Sequence, residues 1–250
     1  MKRRDFVLSI GALAANGPAF GQAPADSAPP AAPAAVPAPA APPAPAAPAP
    51  TDPAAPPAAE AVPAGPPPIP AGAVRVAMRT SMGVILIDLY RDKAPLSVAN
   101  FLRYVDQKLY DGAQFYRASR PAKDADGSWG SIQGGLLNKG VAPLKAIPHE
   151  STTKTGLSHL NGSISLTRNG PGTATSDFFI VLGDQTGYDA DPTGKSDRFG
   201  FAVFGRVVDG IEVVKKINLA RRSPTAGVGY LKGEMLAPVV VINSVRRVAR

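Results

Sequence analysis

Beyond residue 73 the hydrophobic and polar positions follow two periods. Val74, Val76 and Met78 alternate with Arg75, Ala77 and Arg79, the period-two pattern of a half-buried strand. Ser81-Met82-Gly83 supplies a turn and Val84 to Tyr90 a returning strand, which predicts a hairpin. The period then lengthens. Val98, Leu102, Val105 and Leu109 recur at helical spacing with Phe101 beside them; Pro95 suits the first turn and Asp111-Gly112 an ending. Short apolar runs broken by Gly and Pro follow at Gln114 to Arg117, Ser131 to Gln133, Ser163 to Thr167, Phe178 to Leu182 and Phe201 to Val208. Asp209 and Gly210 precede a second helix carrying Ile211, Val214 and Ile217 on one face, and Pro238 to Val248 is a β-branched run suited to a closing strand. Many short strands at fairly even spacing predict a mainly β domain, closed as an antiparallel barrel.

Upstream the pattern has no period. Of 28 prolines, 19 lie between Pro24 and Pro70, together with 19 alanines, and almost no aliphatic bulk accompanies them. Such a segment cannot bury enough apolar surface to offset the entropy of ordering it, so residues 24–72 are expected to be a disordered, extended tether. Residues 1–23 have the layout of an export signal: a basic head at Lys2-Arg3-Arg4, an apolar stretch from Phe6 to Ala15, and small residues at Gly21-Gln22-Ala23. The adjacent arginines fit the twin-arginine type, with a general secretory signal as the alternative, and either would place the mature protein in the periplasm. The globular domain is then residues 73–250.

Charge and composition narrow the classes. The formal net charge is +8, but the basic residues are scattered and form no aromatic-interleaved stripe, so no nucleic-acid partner is expected. Zero cysteines exclude disulfides, thiolate metal sites and a thiol nucleophile. No run reaches the roughly 20 apolar residues that span a bilayer, so no membrane insertion is expected once the signal is removed.

Several local patterns fail on inspection. Thr193-Gly194-Lys195-Ser196 resembles the end of a phosphate-binding loop, but the glycine it needs at position 189 is Asp189. Asp189 to Gly194 is a poor calcium loop because a proline interrupts it. His149 and His159 have no clustered ligands and are expected to be structural or exposed; no metal is expected. Ser151 and Ser158 lack the strand-to-helix setting of a hydrolase nucleophile.

Five ordered segments carry more information: Phe115-Tyr116-Arg117, Ile132-Gln133-Gly134-Gly135, Gly162-Ser163-Ile164-Ser165-Leu166, Ser176-Asp177-Phe178-Phe179-Ile180 and Phe201 to Val207. Together with the opening hairpin and the Ala94-Pro95…Asn100-Phe101 helix, they resemble the motifs of the cyclophilins over nearly all of Val76 to Val245. The resemblance implies an eight-stranded antiparallel barrel capped by a helix at each end, and peptidyl-prolyl cis-trans isomerase activity on proline-containing polypeptides. It implies Arg117 as the catalytic arginine, Gln133 as its hydrogen-bonding partner and Phe179 as the floor of the proline pocket. Leu166 and Thr167 would lie on the strand that pairs with substrate, and Phe201, where the family often has His or Tyr, would be a further substrate-binding residue. Phe115, Ile132, Arg168 and Asp177 complete the expected substrate-binding set. No cofactor is implied, and a monomer is expected.

The sequence departs from the family pattern between Arg117 and Gln133. A short link with a Phe-Met pair is replaced by Ala118 to Ser131, which leaves the missing wall to Trp129, to Ile132 or to a more open pocket. Gly187-Tyr188 stands at the usual Trp/Phe-Leu position, so Tyr188 is expected as another wall. The alternative function is a catalytically weak module of the same fold that binds proline-containing segments of a partner.

Overall fold

The computed structural model describes residues 65–137 and 139–249. The expected export signal lies outside the described residues, as does the expected tether up to residue 64. Eight strands form a closed antiparallel barrel: β1 (Ala73–Thr80), β2 (Gly83–Tyr90), β3 (Ala113–Ser119), β4 (Gly130–Gly135), β5 (Ser163–Leu166), β6 (Phe178–Leu182), β7 (Ala202–Asp209) and β8 (Met235–Arg247). Their order around the barrel is β1-β2-β7-β5-β6-β4-β3-β8. Each strand is thus hydrogen-bonded to a neighbour on both sides.

Two helices of useful length accompany the barrel, α1 (Pro95–Asp106) and α3 (Ile211–Leu219), with a single turn, α2 (Thr152–Thr155), between them. The apolar stripe of α1 sets Val98, Phe101, Leu102 and Val105 into the core, and α3 adds Val214 and Ile217. Phe101 meets Tyr110, Phe178 and Phe204 with ring centroids 4.9, 5.6 and 5.4 Å away. Burying each such ring is worth about 1.5–3 kcal/mol, so this cluster ties α1 to the barrel. The start of α1 lacks a capping side chain of its own. Glu150 supplies the need from far along the chain, accepting from the amides of Leu96 and Ser97 at 3.1 and 2.7 Å. A carboxylate there also meets the positive end of the helix dipole.

Two boundaries differ from the periodicity. The helix predicted to run to Asp111 stops at Asp106, because Lys108 takes a left-handed φ of 56° that a helix cannot continue through. The closing strand starts at Met235, ahead of Pro238, since the ladder with β3 resumes on both sides of the proline. The turn α2 and two short 3-10 turns, Thr186–Tyr188 and Gly229–Leu231, carry no apolar period and were not predicted.

Arg75 and Asp88 face one another across β1 and β2 on the outer side of the barrel. Nε and Nη2 of Arg75 donate to the two Asp88 oxygens at 2.7 and 2.9 Å, with both residues buried. The remaining terminal nitrogen of Arg75 donates to the carbonyl of Pro67 at 2.7 Å, and the Ala73 amide donates to the Pro70 carbonyl at 3.1 Å. The last part of the proline-rich stretch, residues 67–70, is therefore fastened to the barrel although its composition alone reads as tether.

Candidate active site

The placement of Arg117 depends on an irregularity in β3. Ala113 and Phe115 point into the core and so does Ala118, an odd step that strict alternation forbids. The register shows why. Phe115 lies opposite Gly134 and Arg117 opposite Gln133, so two steps on β3 match one on β4. Tyr116 is the extra residue of a β-bulge. Without it Arg117 would point to the same side as Phe115, into an apolar interior with nothing to pair a guanidinium. With it, Tyr116 and Arg117 both serve the outer face.

The outer residues of four adjacent strands then form one row. Arg117 pairs in register with Gln133, Gln133 with Phe179, and Phe179 with Ser165. Hydrogen bonds fix the first members. Arg117 Nη1 donates to Gln133 Oε1 at 2.9 Å, and Gln133 Nε2 donates to the Tyr116 hydroxyl at 2.8 Å. That hydroxyl donates to Asp177 Oδ2 at 2.9 Å, while Oδ1 accepts from the Leu136 amide at 2.8 Å. Burial, and then the Asp177 charge, push the Tyr116 hydroxyl well above its ordinary value, so it stays a donor at any working pH. The bonds run one way, from Arg117 through Gln133 and Tyr116 to Asp177, which leaves Gln133 a single orientation. The two glycines after Gln133 are sterically required. A Cβ on Gly134 would sit 2.8 Å from the Gln114 carbonyl, and one on Gly135 2.0 Å from Asp177 Oδ1.

The other end of the row is aromatic. Phe179 meets Phe201 at 5.3 Å and Tyr188 at 5.7 Å, both edge-on, and those two rings meet each other edge-on at 5.9 Å. Phe201 is held by Arg168, whose guanidinium lies 5.0 Å from the ring centroid while Nε donates to the Gly200 carbonyl at 2.8 Å. The result is an apolar recess floored by Phe179, opening into a groove of about 750 Å³ that reaches Arg117 and Gln133. Such a recess suits a small ring that brings no donor of its own.

Beneath Phe179 lies a buried polar support. His159 stacks parallel to Phe179, centroids 5.8 Å apart. Its Nδ1 is 2.5 Å from Asp189 Oδ1 and its Nε2 is 3.1 Å from Ser165 Oγ. Asp189 also accepts from the backbone amide of His159, at 3.0 Å, and from the hydroxyl of Ser158. The order Asp-His-Ser has the sequence of a nucleophile relay. His159 and Ser165 are both 0% exposed, however, and no substrate reaches them. The network is structural: it fixes the floor of the recess and, through Asp189, the adjacent Tyr188.

Of the residues expected from the sequence, the groove brings together Arg117, Gln133, Thr167, Arg168, Asp177, Phe179, Tyr188 and Phe201. Three others are corrected. Phe115, Ile132 and Leu166 alternate into the barrel and pack in its core, so their side chains line no groove. Asp177 lines the groove but is spent on holding Tyr116 and Leu136. The missing wall is not rebuilt by Trp129, whose ring lies over Gly183 outside the groove, nor by the inward-facing Ile132. Leu136, Leu137, Val141 and Pro143 extend the apolar side of the groove. The sequence reading also missed Tyr230, Leu231 and Met235, which line the groove from the segment before β8, and Glu234, which pairs with Arg117. That segment has no hydrophobic period, and its one signal was an acidic residue beside exposed aromatic and glycine positions. Among the described residues no group of three or more His, Cys, Asp or Glu could hold a metal ion.

Comparison with known families matches residues 75–246 to "Cyclophilin type peptidyl-prolyl cis-trans isomerase/CLD". This chain belongs to the cyclophilin family. A peptidyl-prolyl cis-trans isomerase of Acinetobacter baylyi is 34% identical over 170 residues, covering 67% of this chain and 82% of that protein. Peptidyl-prolyl cis-trans isomerase A of Dickeya dadantii is 35% identical over 170 residues, covering 68% and 82%. Among solved structures, a cyclophilin-type peptidyl-prolyl cis-trans isomerase of Cryptosporidium parvum superposes with a TM-score of 0.56 at 18% identity, over 71% of this chain and 99% of that one, a likeness of fold. The eight-stranded barrel expected from the motifs is the barrel observed.

The floor of the recess should respond to pH through His159. Burial holds its imidazole below the ordinary value, outweighing the pull of Asp189 in the other direction. A depressed folded-state value means that the neutral form is the stable one. Its stabilisation is complete above the unfolded value of about 6.5 and is lost as pH falls below that, down through the folded value. The melting temperature should therefore drop between about pH 7.5 and 5, and His159→Gln should flatten that part of the profile. Equal slopes for parent and variant would remove His159 from this role.

Proposed function

We propose that this cyclophilin accelerates rotation about X-Pro bonds with Arg117 as the residue that acts on the twisted amide, and that its substrates are proline-containing segments of proteins folding outside the cytoplasm. The observation that carries the reading is the single row from Arg117 through Gln133 to Phe179, a donor and an apolar recess on adjacent strands. Strands lie about 4.8 Å apart, so two strand spacings, roughly 10 Å, separate the backbones of Phe179 and Arg117 across the groove.

The chemistry needs little else. Rotation is resisted by about 18–20 kcal/mol because the amide nitrogen shares its lone pair with the carbonyl. At the twisted midpoint that pair is localised on nitrogen, and an N–H donor aimed at it binds the midpoint more strongly than the planar ground state. The guanidinium carries donors only, and Gln133 holds it in place. The recess between Tyr188 and Phe201 grips the proline ring while the preceding carbonyl swings. No bond is made or broken, so the step calls for no cofactor. The Cryptosporidium parvum protein has also been solved in the presence of the dipeptide ala-pro, which supports the class of substrate. We take the working form to be a monomer, since one chain supplies every member of the row.

Arg117→Ala should lower kcat/KM for an X-Pro peptide by at least about tenfold and up to 10²–10³, the usual loss for one preorganised donor, with the fold intact. Arg117→Lys should recover little because an ammonium lacks the planar fork. A stable Arg117→Ala protein working at the parental rate would remove Arg117 from catalysis and favour the weakly catalytic binding module.

The setting outside the cytoplasm rests on the basic head and apolar stretch of the first 23 residues. Changing Arg3 and Arg4 together to Lys should leave precursor in the cytoplasm, because a twin-arginine receptor reads the residue and not only its charge. Normal periplasmic accumulation of the double-lysine form would contradict that route.

A further inference from the structure

We infer that Glu234 is a positioning residue for Arg117, holding the guanidinium in the plane from which it donates to substrate. The inference rests on the reading of Arg117 as the catalytic residue. Glu234 closes the segment between α3 and β8, which returns to the barrel beside the bulge in β3. Its backbone is pinned there: the Ala118 amide donates to the Glu234 carbonyl at 2.9 Å, and the Glu234 amide donates to the Leu231 carbonyl at 3.1 Å. From that anchor the carboxylate reaches Arg117. Nε donates to Oε2 at 2.8 Å and Nη2 lies 2.6 Å from the same oxygen. The other oxygen, Oε1, accepts from Ser119 Oγ at 2.8 Å, which fixes the carboxylate plane.

Counting donors shows what the arrangement leaves. A guanidinium offers five N–H groups. Glu234 takes the Nε side, Gln133 takes one hydrogen of Nη1, and one N–H on each terminal nitrogen remains uncommitted. An arginine side chain free to rotate loses rotamer entropy when it must be ordered, and two fixed partners discharge that cost before substrate arrives. Tyr230, from the same segment, lies over the guanidinium with its ring centroid 5.5 Å from the central carbon. The pair is partly exposed, with side chains 20% and 22% accessible, so the carboxylate stays hydrated enough to be held without a large desolvation penalty. Its charge weakens Arg117 as a cation, but the twisted amide is neutral and asks for a directed donor more than for net charge.

The account is tested by measuring kcat, KM and melting temperature of the full chain on an X-Pro peptide for Glu234→Ala, Glu234→Gln, Arg117→Ala and the Arg117→Ala/Glu234→Ala double variant. Glu234→Ala should lower kcat about five- to tenfold with KM little changed, the signature of an interaction that matters only at the midpoint. Glu234→Gln keeps one acceptor for Arg117 and an N–H for Ser119, and should return to within about twofold of the parent. In the Arg117→Ala background, Glu234→Ala should have no further effect, because its influence passes through the guanidinium. Parental kcat for Glu234→Ala, a Gln form no faster than the Ala form, or an undiminished loss in the Arg117→Ala background would each overturn the inference while leaving Arg117 catalytic. An Arg117→Ala protein at the parental rate would overturn both.

Discussion

A single extra residue in β3 turns Arg117 from the barrel core to its outer surface. Phe115 and Ala118 are both core residues, and only a bulge at Tyr116 allows both of them inside while Arg117 lies outside. The remaining features of the site follow from that turn. Tyr116, the bulged residue, supplies the hydroxyl that orients Gln133; Gln133 takes Arg117; and the register of β4 with β6 sets Phe179 next in the row. On its other side β3 meets β8, where the ladder passes over residues 236–239 of β8 and resumes with Arg117 opposite Met235, which brings Glu234 into reach. The barrel is thus the rigid support that a preorganised donor requires.

Three carboxylates and one histidine do the unseen part of this arrangement. Asp177 ends the relay through Tyr116 and ties Leu136 to it, so the start of the open apolar side of the groove is fixed by the group that fixes Gln133. Glu234 holds the guanidinium from the opposite direction. Below the recess, Asp189 and His159 carry Phe179 on a hydrogen-bonded base in which each buried polar atom of the imidazole has a partner. Catalysis here asks for position and not for titration, and each of these polar groups is spent on position.

Much of this was legible in the sequence. The alternation in β1 and β2 and the apolar stripes of α1 and α3 are strong local signals, because one face of each element must be buried. The ordered motifs around Arg117, Gln133, Phe179 and Phe201 named the row itself. What remained hidden has physical reasons. Phe115, Ile132 and Leu166 stand next to site residues in the chain, and only the register shows that alternation sends them inward. The bulge at Tyr116 leaves no compositional mark. Glu234 is 117 residues from Arg117 and lies in a segment without period, so nothing local ties the two together. Pro67 reads as spacer until Arg75, buried against Asp88, proves to have a third donor to satisfy.

The central claim is that an X-Pro segment lies along the row from Phe179 to Arg117. A crystal structure with a short X-Pro peptide bound tests it most directly. The account predicts the proline ring on Phe179 between Tyr188 and Phe201, with an Arg117 nitrogen within hydrogen-bond reach, about 2.7–3.2 Å, of the prolyl amide group. A peptide whose proline lies elsewhere in the groove, with the guanidinium still committed to Gln133 and Glu234 and out of reach of that amide, would contradict it.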